Sequence, residues 1–234
     1  MKPVAIFCYS SGKNPGHFAT FLDRHSIPWV EFRIDEGMAP PASIAGYSGL
    51  CFMGGVMSVN DEDAWIAALL DLIREAHALD IPVIGHCFGG QLLSKALGGA
   101  VTRNPVKEIG WTKVRVLDPD WLPGMNEFLT YEWHGETFSI PEGGKRLLES
   151  EHCANQAFAL GPHLGMQCHV EMTEAMVEDW SAQGTREIER ALEKNPAAPV
   201  QKREQQLAPL AERIATLHEV ADTLYGKWIQ GLRH

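Results

Sequence analysis

Cys87 lies in the run Gly85-His86-Cys87-Phe88-Gly89-Gly90-Gln91, directly behind the apolar stretch Ile81-Pro82-Val83-Ile84 and ahead of Gln91-Leu92-Leu93-Ser94-Lys95-Ala96-Leu97. That order predicts a buried strand, a sharp turn and a helix. A thiol on such an elbow is lifted above the sheet, where it can act as a nucleophile, and the crowded turn demands small neighbours. Gly85 and Gly89, each two residues from Cys87, meet that demand. The helix N-terminus also sets partial positive charge beside the sulfur, which favours thiolate over thiol. A cysteine nucleophile needs a base, and the base needs an orienting group. His169-Val170-Glu171 ends a strand-like run, so its imidazole and carboxylate are expected on one side of the strand, with the carboxylate fixing the ring tautomer and favouring the imidazolium. Acyl transfer through a thioester passes an oxyanion that needs backbone N–H donors. The Phe88 amide offers one, and the glycine turn Gly54-Gly55 at the tip of a neighbouring strand offers another. Singly, these are a core thiol, a chance His-x-Glu and a plain strand-end turn; together they favour chemistry.

The elements that must position these groups follow from hydrophobic period. Val4-Ala5-Ile6-Phe7-Cys8-Tyr9 reads as a strand running into a loop at Ser10-Ser11-Gly12, and Phe18, Phe21 and Leu22 sit at helical spacing. Residues 27–34 and 49–53 read as further strands, and residues 61–79 as a helix on which Trp65, Leu69, Leu72, Ile73 and Ala76 recur at three- and four-residue steps. Strands alternating with helices predict a three-layer α/β architecture, a mostly parallel central sheet flanked by helices. From about Val101 the period changes. Residues 111–117, 128–133, 157–160 and 164–170 look like shorter, partly antiparallel strands added to that sheet. Helices then close the chain. Thr173 is the expected cap for residues 174–183 and Thr185 for 186–194, Asn195-Pro196-Ala197-Ala198-Pro199 interrupts, and Leu207, Leu210, Ile214, Leu217, Val220, Leu224 and Trp228 mark one face of the last helix. A single domain over residues 1–234 is expected, with residues 184–234 a C-terminal helical extension packed on it.

Gly-x-Cys-x-Gly-x-Gln, the preceding Gly-Gly strand end and the later His-x-Glu, in this order from about Ser48 to Thr173, resemble the class I (triad) glutamine amidotransferase family, and in particular its stand-alone members and the glutaminase domain of GMP synthase. The resemblance implies a flavodoxin-like fold, Cys87 as nucleophile, His169 as base and Glu171 as its orienter. It also implies the Gly55 and Phe88 amides as the oxyanion hole and Gln91 as a contact to the bound glutamyl group. Trp133-His134-Gly135-Glu136 resembles the Trp-His-Gly-Asp segment that lies beside the substrate pocket in the stand-alone members, with Glu in place of Asp. Val56 and Val170 stand where many members have Pro; neither change removes a chemical group. The implied reaction is hydrolysis of the γ-amide of glutamine or a γ-glutamyl compound through a glutamyl thioester.

Composition bounds the alternatives. The chain has 234 residues, 45% hydrophobic and 21% charged, with 20 basic against 30 acidic residues for a net charge of −10. No Lys/Arg cluster stands out along it, so no nucleic-acid partner is expected. No stretch approaches a membrane span, and no signal-peptide cleavage region follows Met1. Five cysteines without framework spacing suit a reducing cytoplasm. Cys8, Cys51 and Cys168 read as core thiols. His152, Cys153, His163, Cys168 and His169 form no metal-ligand ladder, so neither metal nor cofactor is expected. No phosphate-binding Gly-x-x-x-x-Gly-Lys-Ser/Thr loop occurs. Ammonia from the small-molecule substrate glutamine would therefore pass to a separate synthetase, or the enzyme would simply hydrolyse a γ-glutamyl peptide or amide, as a γ-glutamyl peptidase without an ammonia acceptor. A catalytically silent regulatory subunit with the same fold is the other reading.

Overall fold

The computed structural model describes residues 1–9 and 15–233, so the loop expected at Ser10-Ser11-Gly12 falls outside the described residues. Nine strands form one sheet: β1 (Val4–Cys8), β2 (Trp29–Arg33), β3 (Gly49–Phe52), β4 (Val83–His86), β5 (Val101–Val116), β6 (Glu127–Phe138), β7 (Lys145–Ser150), β8 (Ala157–Leu160) and β9 (His163–Met166). Their spatial order is β2-β1-β3-β4-β9-β8-β7-β5-β6. The first five in that order are parallel and the rest antiparallel. The helices are α1 (Gly16–Arg24), α2 (Ala64–Ala78), α3 (Phe88–Ala96), α4 (Glu174–Gln183), α5 (Thr185–Lys194), α6 (Arg203–Leu207) and α7 (Leu210–Trp228).

The burial of β1, β3 and β4 on both faces matches their largely apolar runs, whereas the edge strand β2 is only partly buried. In β1, Val4, Ile6 and Cys8 point into a core shared with α1, α4 and α7. Ala5 and Phe7, together with Tyr9, point into a second core shared with α2 and α3. That is period two dividing one strand between two layers. The last helix inserts Leu217, Leu224 and Trp228 into the first core, all 2% exposed or less; burial of such a side chain contributes roughly 1.5–3 kcal/mol. The stripe read from the sequence is therefore covered by its own chain, broken at Pro209 into α6 and α7. Among the described residues no helix is long and apolar enough to cross a membrane.

Three local expectations are corrected. Strand β5 begins at Val101, ten residues before the predicted start, and absorbs the breaker pair Asn104-Pro105 in a bulge where its register with β6 shifts between Arg103 and Glu108. Strand β7 carries too few alternating residues to be read as an element. Thr185 does not cap α5: Gly184 occupies that position, and the Thr185 hydroxyl donates back to the Ser181 and Ala182 carbonyls left open at the end of α4. Thr173 does cap α4, accepting from the Met176 amide at 3.3 Å.

Candidate active site

Strand β4 stops at His86 and α3 starts at Phe88, which leaves Cys87 at φ 50°, ψ −106°. Such a backbone costs a non-glycine residue about 1–3 kcal/mol and persists only where its surroundings enforce it. Here backbone contact enforces it. A Cβ on Gly89 would lie 1.9 Å from the Phe52 carbonyl oxygen, and one on Gly85 would lie 2.3 Å from the Gly89 carbonyl. The Cys87 amide donates to the Met166 carbonyl of β9 at 2.8 Å. Phe88, as the first residue of α3, has an N–H with no partner within the helix, while its ring packs on Tyr9 and Trp65.

His169 and Glu171 meet, but not on a strand. Strand β9 ends at Met166, so side-chain alternation within it does not pair them. The antiparallel half of the sheet instead curls until β6 returns to the segment beyond β9, where the His169 amide donates to the Tyr131 carbonyl at 2.9 Å. The Glu171 carbonyl accepts from the His17 amide of α1, and the Met172 carbonyl accepts from His218 Nε2 of α7, both at 2.8 Å. Within this clamp His169 Nδ1 lies 2.6 Å from Glu171 Oε1, both side chains 1% exposed. Burial alone would disfavour the imidazolium, but Glu171 and then the Cys87 sulfur outweigh it and push the His169 pKa up to about 10. Burial likewise acts against the Glu171 carboxylate, and the facing His169 overcomes it, leaving that pKa below its ordinary value. The Trp180 ring and the imidazole meet at right angles with their centroids 5.0 Å apart. Gly54 makes room for it: a Cβ there would sit 2.8 Å from His169 Cε1 and 3.8 Å from Cys87 Cβ.

Cys87 opens into a cleft of about 490 Å³ lined also by Gly55, Gln91, Trp133, His134 and Glu136. The structure thus brings the sequence-derived residues together, with two qualifications. Gln91 is 4% exposed, and its amide donates to the Glu136 carbonyl (3.3 Å) and to Gln167 Oε1 (3.1 Å). The His134 ring is turned inward, with Nδ1 donating to the Glu136 carbonyl and Nε2 lying 3.1 Å from Glu108. Trp133 rests on Gly184, where a Cβ would lie 2.1 Å from its ring, and its indole donates to Glu187 at 3.0 Å.

Several neighbours were not found from the sequence. Gln167 donates to the Cys87 sulfur at 3.5 Å; its place two residues before His169 in an extended run was the available signal. Glu108 and Glu132 are wholly buried behind His134, whose Nε2 lies 3.1 Å from Glu108 Oε2 and 3.4 Å from Glu132 Oε2. Burial, and then Glu108, push the Glu132 pKa well up. Glu108, His134 and Cys153 offer donor atoms within 4.8 Å of one another, the one such group among the described residues that could hold a metal ion. Burial pushes the Cys153 thiol up to about 12, which opposes the thiolate a metal would need. Cys8, Cys51 and Cys168 are buried free thiols in the core.

The sequence model of the family glutamine amidotransferase class-I matches residues 25–179. The glutamine amidotransferase-like protein YfeJ of Salmonella typhimurium is 32% identical over 165 residues, covering 66% of this chain and 68% of that protein. One of the subunits of the glutamine-hydrolyzing GMP synthase of Archaeoglobus fulgidus is 37% identical over 148 residues, 61% of this chain and 76% of that one. Against the longer GMP synthase of Bacillus subtilis, at 33% identity, the match spans only 24% of the relative's length. A crystal structure of a glutamine amido transferase from Methylobacillus flagellatus superposes with a TM-score of 0.96 at 46% identity, covering 100% of this chain and 96% of that one. The chain belongs to the class I glutamine amidotransferase family.

Proposed function

We propose that this protein hydrolyses the γ-amide of glutamine or of a γ-glutamyl compound, with Cys87 as nucleophile, His169 as base and Glu171 as its orienter. The observation that carries the reading is a cleft-lining sulfur on an enforced positive-φ elbow, with a buried imidazole, paired with a carboxylate at 2.6 Å, beside it behind Gly54. The raised His169 pKa keeps the ring protonated beside the sulfur at neutral pH, which favours a thiolate–imidazolium pair. The thiolate attacks the γ-carbonyl carbon, and the amides of Phe88 and Gly55 hold the developing oxyanion. His169 gives its proton to the departing nitrogen as the C–N bond breaks, then takes one from water as the hydroxide attacks the thioester. The released products are glutamate and ammonia or an amine. Gln167, donating to the Cys87 sulfur, would hold it towards the cleft, and Gln91 would shape the wall through Gln167 and Glu136 rather than by a free amide.

The decisive measurement is release of glutamate from glutamine and from γ-glutamyl peptides by the purified protein and by its Cys87→Ser and His169→Ala variants. Loss in both variants supports the assignment; retention in both ends it. A silent regulatory protein would show neither turnover nor rapid alkylation of Cys87. Ammonia passing to a separate synthetase is a second reading, since the Archaeoglobus relative is named as one part of a multi-chain synthase; it predicts glutamine turnover that rises when the partner is added.

A further inference from the structure

The Cys87 cleft does not end at Trp133. It continues into a second groove of about 970 Å³, and Arg103, Lys107, Gly135 and Glu187 line both spaces. One wall is the bulged part of β5, which carries Arg103 and Lys107. The other is the face of α5 that carries Arg186, Arg190 and Lys194 at successive four-residue steps. Five cations therefore meet in a molecule whose net charge is −10. The one carboxylate in that wall, Glu187, is occupied by Lys107 and by the Trp133 indole. Among the described residues no carboxylate forms an ion pair with Arg103, Arg186, Arg190 or Lys194.

Helix α5 sharpens the point. Acid and base attract when placed three or four residues apart on a helix; α5 has such pairs only at three-residue spacing, and its four-residue neighbours are alike in charge. Arg186, Arg190 and Lys194 follow one another along the groove, while Glu189 and Glu193 line a separate depression on another side. Like charges at that spacing repel and weaken the helix, and a concave wall of one sign concentrates counter-ions within it. A bound anion would relieve the repulsion.

We propose that the preferred substrate is a γ-glutamyl amide whose amine-side portion is anionic, carrying carboxylate or phosphate groups. Its γ-glutamyl end sits at Cys87 and its anionic tail lies in the Arg103–Arg190–Lys194 groove. This rests on the hydrolase reading above and names the substrate class of that site. Glutamine, whose leaving group is ammonia, leaves the groove empty. The chemistry is unchanged: water supplies the oxygen of the new carboxylate, and the cleaved nitrogen leaves as a protonated amine attached to the anionic tail.

The test compares kcat/KM for γ-glutamyl-glutamate, γ-glutamyl-phosphoethanolamine and neutral γ-glutamyl-ethanolamide, in wild type and in Arg190→Gln/Lys194→Gln. At low salt, at least one anionic substrate should be preferred over the neutral one by about tenfold or more, mainly through KM. Which of the two is preferred identifies the tail as carboxylate or phosphate. The preference should shrink as ionic strength rises and fall at least threefold in the double variant, whose melting temperature confirms that it is folded. Equal rates on all three substrates, or a preference that the double variant leaves intact, would overturn the proposal while leaving the hydrolase reading standing. No cleavage of any of them or of glutamine would remove the hydrolase reading itself.

Discussion

The two halves of the sheet solve different problems. The parallel half, β2-β1-β3-β4-β9, is short-stranded and, apart from its edge strand β2, buried on both faces, and its backbone leaves no room for a Cβ at Gly85 or Gly89. The antiparallel half, β8-β7-β5-β6, is longer and bulged, and it curls around buried polar groups, Glu108, Glu132, His134 and Gln156. The first holds the sulfur; the second, with α5, forms the far wall of the cleft. The contrast teaches that reactivity here is held by close backbone packing, whereas the shape and charge of the binding surface come from long side chains on irregular strands, where change is structurally cheap.

Substitutions can break or sharpen this contrast. The largest effect is expected in the parallel half: Cys87→Ala should lower glutamyl-amide hydrolysis at least about a thousandfold, measured as glutamate release, while the melting temperature changes little because Ala keeps the same positive-φ backbone. Next comes Gly54→Ala. Its Cβ would strike His169 Cε1 at 2.8 Å, so the ring must shift, and a misplacement near 1 Å costs roughly a hundredfold in kcat with little change in KM.

Glu171→Gln should act on pH dependence. With Glu171 as the leading favourable influence, the His169 pKa stands near 10, so the imidazolium survives through neutral pH and the alkaline limb of kcat/KM lies near that value. Removing the carboxylate lets burial prevail, the pKa falls, and the limb moves to lower pH. An unmoved limb in the pH–rate profile would show that another group sets it.

The smallest effect belongs to the antiparallel half. Glu132 has a folded-state pKa above its unfolded value, so its contribution to stability is present below the unfolded pKa and is lost as pH rises through the folded one. Glu132→Gln should therefore melt like wild type at pH 4 but at a higher temperature than wild type at pH 8. If this variant cost as much activity as Gly54→Ala, the division of labour drawn here would be wrong.

Most of the parallel half was readable because its signals are local. The apolar runs of β1, β3 and β4, the helical period of α2 and the Gly-x-Cys-x-Gly elbow each lie within one element or one turn. The antiparallel half was less so. The pair Asn104-Pro105 hid the first part of β5, since a bulge tolerates what a regular ladder does not. His169 and Glu171 were found for a reason the structure replaces: their meeting depends on Tyr131, His17 and His218, which lie 38, 152 and 49 residues from His169 along the chain.

Residue types and spacing by themselves determined the Cys87 elbow and the layered fold, because each is written in short-range periodicity and backbone sterics. Only the tertiary structure decided that Gln167 reaches the Cys87 sulfur, that the His134 ring engages Glu108 and the Glu136 carbonyl, and that cations scattered between Arg103 and Lys194 face one groove. Those outcomes depend on distant segments converging, and neither spacing nor composition carries the information about which side chains a curled sheet will bring within a few ångströms of one another.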